Sequence, residues 1–143
     1  MERIAVIILV DSRGWVLLQE RDEFAPRAPN QWGMVGGHVE DGEDFDTAAY
    51  RELEEETGLT PPVGSLQLWQ AGEFQYSDVD APFSYHVYVG ATAATDADIV
   101  VGEGRRIVFV EPATVPSLDK AESCAHFVPA FLASPDYRSM LEA

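Results

Sequence analysis

The sequence is poor in cysteine, in basic side chains and in long apolar runs, and each shortage closes off a class of function. Cys124 is the single cysteine of the 143 residues. That excludes an internal disulfide and a cysteine-rich zinc site, and it points to the cytoplasm as the natural compartment. Three histidines, His38, His86 and His126, lack the HExxH-like spacing of a zinc hydrolase. No apolar stretch approaches the roughly 20 residues of a membrane helix. Ile4 to Val10 is only a strand-length run, and it passes into the turn residues Asp11-Ser12-Arg13-Gly14 without a small-residue cleavage site. A soluble protein that is not exported is expected. Nine Lys+Arg stand against 25 Asp+Glu, a formal net charge of −16. A surface this acidic repels nucleic-acid backbones and anionic lipid. It admits a bare nucleotide only where a metal or a local basic cluster reverses the field.

What is present suits one domain over residues 1–143. Hydrophobic residues make up 46%, enough for a packed interior. Arg3 to Val10 and Trp15 to Arg21 read as a β-hairpin. Asp22 to Asn30, with Pro26 and Pro29, reads as a loop, and Gln31 to Val35 as a short extended piece before Gly36-Gly37. Leu66 to Phe74, Tyr85 to Ala91 and Arg106 to Val110 are rich in β-branched and aromatic residues and predict further strands. A helix is predicted from Phe45 to Thr57, with Asp44 as N-cap, Asp46 complementing the dipole and Gly58 at the left-handed C-terminal position. A second helix is expected near Ser123 to Ala133, kinked or started late by Pro129. The order predicts an α+β fold, an α/β/α sandwich around a mixed sheet.

The chemistry concentrates on the first helix. At roughly 100° per residue, Glu55 and Glu56 lie near −60° and +40° from Glu52, so the three carboxylates share one arc. Glu54 points to the far side and Leu53 towards the core. Arg51 stands four residues before Glu55 and can pair with it. Like charges on one face repel, and hard divalent cations such as Mg²⁺ or Mn²⁺ would relieve the repulsion. Gly36-Gly37 lets backbone approach closely, and Glu43 precedes the helix where it can salt-bridge into this face. The arrangement suits metal-assisted attack of water on a phosphoanhydride.

Gly37, Glu43 and Arg51-Glu52-Leu53-x-Glu55-Glu56-x-Gly58-Leu59 fill every fixed position of a 23-residue pattern that resembles a complete Nudix box. The flanks Trp32 to Gly37 and Arg106 to Pro112 also resemble that family. The resemblance implies the Nudix fold and Mg²⁺- or Mn²⁺-dependent hydrolysis of a nucleoside diphosphate linked to another moiety. It implies Glu52, Glu55 and Glu56 as metal ligands, with a Gly36 or Gly37 carbonyl completing the set and Arg51 orienting the glutamates. Glu52, or a glutamate from a loop beyond the box, would be the general base. Glu103 is the candidate for the latter, because flanking glycines would give it a mobile loop. The family often forms dimers, so a homodimer is a possible assembly.

For the substrate, Arg21, Arg27, Arg105 and Arg106 are the candidate phosphate-binding cations. Tyr76, 17 positions past the box, resembles the tyrosine of diadenosine polyphosphate hydrolases. The proline of ADP-ribose-specific members is missing from Gln70 to Tyr76. A MutT-like nucleoside triphosphate pyrophosphohydrolase is the default. The alternatives are a dinucleoside polyphosphate or nucleotide-sugar hydrolase and, from another class, a non-catalytic nucleotide sensor. An isomerase of isoprenoid diphosphates would need a cysteine in the site, and Cys124 stands far from the box. Glu40, Glu54 and His38 read as solvated, His86 as a hydrogen-bonded core residue, and His126 and Cys124 as packing.

Overall fold

The apolar run at the start forms β1 (Arg3–Val10), and it is apolar without alternation because both of its faces are covered. The computed structural model describes residues 1–142. β1 runs parallel to β6 (Phe83–Ala91) along its whole length. On its other edge it pairs antiparallel with β4 (Val35–His38), from Ile4 opposite His38 to Ile7 opposite Val35. β2 (Val16–Glu20) touches β1 only at Val10 opposite Val16, and continues outward to pair with β3 (Trp32–Gly33) and β7 (Arg106–Val110). β5 (Gln67–Phe74) pairs antiparallel with β6 and ends the other side of the seven-stranded sheet. The expected hairpin is therefore joined only next to its turn. Its turn is fixed by Asp11, whose carboxylate accepts from the backbone of Arg13 (2.9 Å) and Trp15 (3.0 Å).

Helix α1 (Phe45–Thr57) has the predicted bounds and caps. The Asp44 carboxylate accepts from the Thr47 amide at 2.7 Å, and Gly58 sits at φ +76°, donating to the Glu54 carbonyl. Ala48, Ala49 and Leu53 are fully buried against Ile7, Leu17, Val35 and Phe109 on one face of the sheet. The opposite face is covered by α2 (Glu122–Leu132), where Val128 and Phe131 meet Ile8, Leu18 and Val87. The result is the α/β/α sandwich that the element order predicts.

Three elements differ from the sequence expectation. α2 starts well before Pro129 and runs through it, because tertiary burial of Phe127, Val128 and Phe131 outweighs one missing backbone donor. A third helix, α3 (Pro135–Glu142), was not anticipated. Ser134 accepts from the Tyr137 amide at 3.2 Å with Pro135 in the first helical position, a start signal that was present in the sequence. Lastly, the extended piece does not stop at the double glycine: β4 passes through Gly36 and Gly37 to His38. Gly36 lies at φ +143°, and a Cβ there would fall 2.2 Å from the Ala5 carbonyl oxygen and 2.6 Å from the Val6 Cα.

Gly36→Ala should therefore lower unfolding stability by at least ~2 kcal/mol, through backbone strain plus the clash with β1. Chemical denaturation checks it. A loss within a few tenths of a kcal/mol would show that β4 can move away from β1 at no cost.

Candidate functional site

β4 presents glycine backbone to α1, and this brings two of the three helix carboxylates inward. The Gly36 amide donates to the Glu56 carboxylate at 3.2 Å. A Cβ on Gly37 would lie 2.7 Å from the Glu52 carboxyl carbon, so only glycine leaves room for that carboxylate. Glu56 is buried and Glu52 half-buried. Glu55 differs. Its side chain is 58% exposed and bonded to Arg51 at 3.2 Å, so the trio shares the helix face without converging on one point. Among the described residues no three His, Cys, Asp or Glu side chains form a ready-made metal cage.

Arg51 organises this face. Its guanidinium binds Glu43 through two nitrogens at 2.7 and 2.9 Å, Glu52 at 3.0 Å and the His38 carbonyl at 3.1 Å. Glu43 also accepts from the Glu40 amide at 3.0 Å. These bonds, Arg51 first, hold the Glu43 carboxyl down at about 2. Burial acts the other way on the inner pair. It pushes Glu52 upward, with Glu55 and Glu103 adding repulsion, and it pushes Glu56 up to about 8, with Glu52 and Glu103 adding to it.

Glu103 thus faces the same pair, as the sequence suggested, but its loop is docked rather than loose. Val100 and Gly102 donate to the Thr57 and Glu56 carbonyls at 2.9 Å each, and buried Gln19 donates to the Glu103 carbonyl at 2.9 Å. A Cβ on Gly102 would strike the Glu55 carbonyl oxygen at 2.2 Å. The glycine serves close approach, not mobility. Gln19 had no signal in the sequence, because its role comes from the pairing of β2 with β7.

The arginines separate into engaged and free. Arg105 and Arg106 both lean on Glu20, at 3.5 and 2.9 Å, and Arg105 also donates to Asn30 at 2.8 Å. The basic strip they would have formed is partly offset by this one shared carboxylate. Arg27 is paired with Asp78 at 2.9 Å and lies 4.1 Å over the Tyr76 ring. Arg21 rests against Gly33 with its buried Nε lacking a partner, and its charge is felt by both Glu56 and Tyr85. Beyond it the Tyr76 hydroxyl meets Tyr85 and Ser123. Burial, then the Tyr76 contact, raises the Tyr85 phenol well above its usual range. Ser123, Asp78 and Glu20 were missed because they come from distant parts of the chain. His38 is exposed and paired with Glu2 at 2.8 Å, and Cys124 is buried in packing. His86 departs from the hydrogen-bonded expectation: its Nδ1 has no partner, and the ring stacks on Phe45 at 3.6 Å instead.

The raised Glu56 has a consequence for metal-free protein. An unfolded glutamate titrates near 4.5 and folded Glu56 near 8, so between those values the folded state holds the extra proton and stability falls as pH rises. With a chelator present, thermal unfolding of the native chain should lose ground to Glu56→Gln steadily across pH 4.5 to 8. A constant gap across that window would show that Glu56 is already ionised when buried.

The NUDIX domain profile matches residues 1–131. The m7GpppN-mRNA hydrolase NUDT17 of Xenopus laevis is 38% identical over 88 residues, 59% of this chain and 30% of that protein. The dihydroneopterin triphosphate diphosphatase of Escherichia coli is 27% identical over 124 residues, covering 85% of this chain and 79% of the relative. The chain spans less than half the length of the first curated relatives it matches. Among solved structures, the MutT protein of Methanosarcina mazei Go1 superposes at a TM-score of 0.73 with 21% identity, covering 91% of each chain. A profile match over nearly the whole chain, joined to this fold, means that the chain belongs to the NUDIX family.

Proposed function

We propose that this protein is a divalent-metal-dependent pyrophosphohydrolase acting on a small triphosphate, most simply a nucleoside triphosphate. The observation that carries this reading is the inward pair Glu52 and Glu56, held against side-chain-free backbone at Gly36 and Gly37 with Glu103 facing them. The donor set is all oxygen, suited to Mg²⁺ or Mn²⁺ rather than zinc. Two inward carboxylates with the negative charge of Glu103 acting on them also fit a cation, which would offset the burial, and the repulsion added to it, that push Glu56 upward. Glu52, Glu56 and Glu55 would hold the ion, with a Gly37 carbonyl as a further ligand. When bound, it supplies neutralisation of the phosphate oxygens and a more acidic water.

The remaining work falls to the chain. Arg51, anchored by Glu43, keeps the carboxylates of Glu52 and Glu55 in place. Arg21, whose charge acts on both Glu56 and Tyr85 and meets no carboxylate ion pair among the described residues, is the cation offered to substrate phosphate. Arg27 adds a second cation over Tyr76, and Tyr76 offers a ring to the rest of the substrate. Arg105, tied to Glu20 and Asn30, is left a structural part in the loop. Water adds to phosphorus, its proton passes to a carboxylate oxygen of Glu52 or Glu103, and the bridging oxygen leaves with pyrophosphate. The net charge of −16 favours a small triphosphate over a polyanionic RNA, and a relative covered over 79% of its length is a dihydroneopterin triphosphate diphosphatase.

The test is release of phosphate and pyrophosphate with Mg²⁺ and then Mn²⁺. Its panel holds nucleoside triphosphates, oxidised purine triphosphates, dihydroneopterin triphosphate, dinucleoside polyphosphates, ADP-ribose and nucleotide sugars. Glu56→Gln should reduce turnover on the preferred substrate by ~10²–10³-fold while the fold survives. Glu103→Gln should do the same if it is the base, and should cost only a few-fold if Glu52 is. Silence across the panel, with thermal stabilisation by a nucleotide retained, would replace the enzyme by a sensor.

A further inference from the structure

No lysine or arginine stands between Arg51 and Arg105, a span that contains both strands on the far side of the sheet, β5 and β6. β5 is terminal in the sheet order, so one edge pairs with β6 while the other carries unpaired backbone groups. Edge strands are commonly blunted by lysine, by proline or by a covering segment. β5 reads Gln67-Leu68-Trp69-Gln70-Ala71-Gly72-Glu73-Phe74 and contains neither residue. Its one irregularity lies between Leu68 and Gln70, and the pairing from Gln70 to Phe74 is regular.

The two faces of this edge are treated differently. Trp69 and Phe74 turn towards α2, their rings 5.3 Å from Phe131 and 5.7 Å from Phe127. On the other face, α1 lies over β1 and β4 and leaves β5 uncovered. Leu68, opposite Tyr88, is 50% exposed there. Beside it runs a cleft of about 330 Å³ between Asp46, Thr47 and Tyr50 of α1 and Val63, Gly64, Leu66 and Tyr88. Its outer wall is fixed, because the Tyr50 hydroxyl accepts from the Gly64 and Leu66 amides at 2.8 and 3.1 Å. Val63 on that wall is 92% exposed. Asp46, bonded by the Tyr88 hydroxyl, places a carboxylate in the cleft. Glu73, whose partner Ser84 shares the face of Tyr88, places another along the strand.

We propose that this edge and cleft dock an extended basic segment of another protein, added to β5 as a further strand. Its apolar side chain enters the cleft, and its lysines or arginines meet Asp46 and Glu73. Charge complementarity selects this occupant. A second copy would bring Glu73 and a span without cations against their own likeness, whereas a basic strand meets no lysine or arginine from β5 or β6. Arg3, in register with Ser84 on this face, is turned to the Glu40 and Glu43 carbonyls and the Phe45 ring. Main-chain bonds would supply affinity and alternate side chains specificity. The site is independent of the pyrophosphohydrolase reading, since none of its residues belongs to the glutamate face.

The probe is a fluorescein-labelled alternating peptide, (Lys-Val)₅, with (Glu-Val)₅ as control, titrated against the full chain and followed by anisotropy and by amide hydrogen exchange. Binding of the lysine peptide alone is expected, with slowed exchange in residues 67–74. Leu68→Lys and Asp46→Asn should each weaken it at least ~10-fold without changing triphosphate turnover. Absence of binding overturns the proposal. Binding that survives Leu68→Lys, or that leaves β5 exchange unchanged, would reduce it to adsorption by charge. Self-association in sedimentation that Leu68→Lys abolishes would give the face to a second copy instead.

Discussion

The candidate site depends on the approach of a strand without side chains to a helix rich in carboxylates. Gly36 and Gly37 are poor strand formers, costing roughly 0.5–1 kcal/mol each relative to alanine. They are held extended because β4 pairs with β1 at four successive positions, Ile4 to Ile7. That pairing fixes the distance from β4 to α1. At this distance the Gly36 amide reaches Glu56, and the space a Gly37 Cβ would fill is taken by Glu52. A larger residue at either position would move the strand or expel a carboxylate. The glycines are therefore as much part of the site as the glutamates, and their role is spatial.

Electrostatics then decides what such a site can accept. Arg51 is the cation of this face, and it is already shared among Glu43, Glu52 and Glu55. Glu56 remains without it, and its burial, with the charges of Glu52 and Glu103 added, makes its ionised form expensive. Protonation is the solution open to metal-free protein, and a bound divalent cation is the solution open to a working one. The outer arginines show the same economy. Arg105 and Arg106 share Glu20 and Arg27 pairs with Asp78, whereas Arg21 is held by the Arg27 carbonyl at 3.3 Å rather than by a carboxylate and keeps its charge for the site.

Much of this was legible in the sequence, and for a local reason. The bounds of α1, its Asp44 cap and Gly58 terminus, the burial of Leu53 and the shared face of Glu52, Glu55 and Glu56 all follow from local signals over this one helix. β7 was equally plain, because Arg106 to Val110 is a compact β-branched and aromatic run. The passage of β4 through two glycines was not legible, since the strand exists only by virtue of β1. Neither was the exposure of Glu55, which depends on how far β4 extends over the helix. α3 is a different case: Ser134-Pro135 announced it, and the third helix was legible but went unread.

The division between what was and was not legible is also a division between chemistry and substrate. Hydrolytic chemistry is encoded within a single helix and the glycine pair beside it, so one continuous stretch carries it. Residues that would meet the substrate come from the end of β2, the loop after it, β5's outgoing loop, β6 and α2: Arg21, Arg27, Tyr76, Tyr85 and Ser123. Their juxtaposition is set by sheet order and by contacts such as Tyr76 with Ser123, 47 positions apart. No periodicity links them. A sequence can therefore carry its family signature in one helix while leaving the substrate to tertiary packing. That same separation leaves the loop of Arg27 outside the contacts that anchor the glutamate face, which come from β4, from β1 and from the docked segment of Val100 and Gly102.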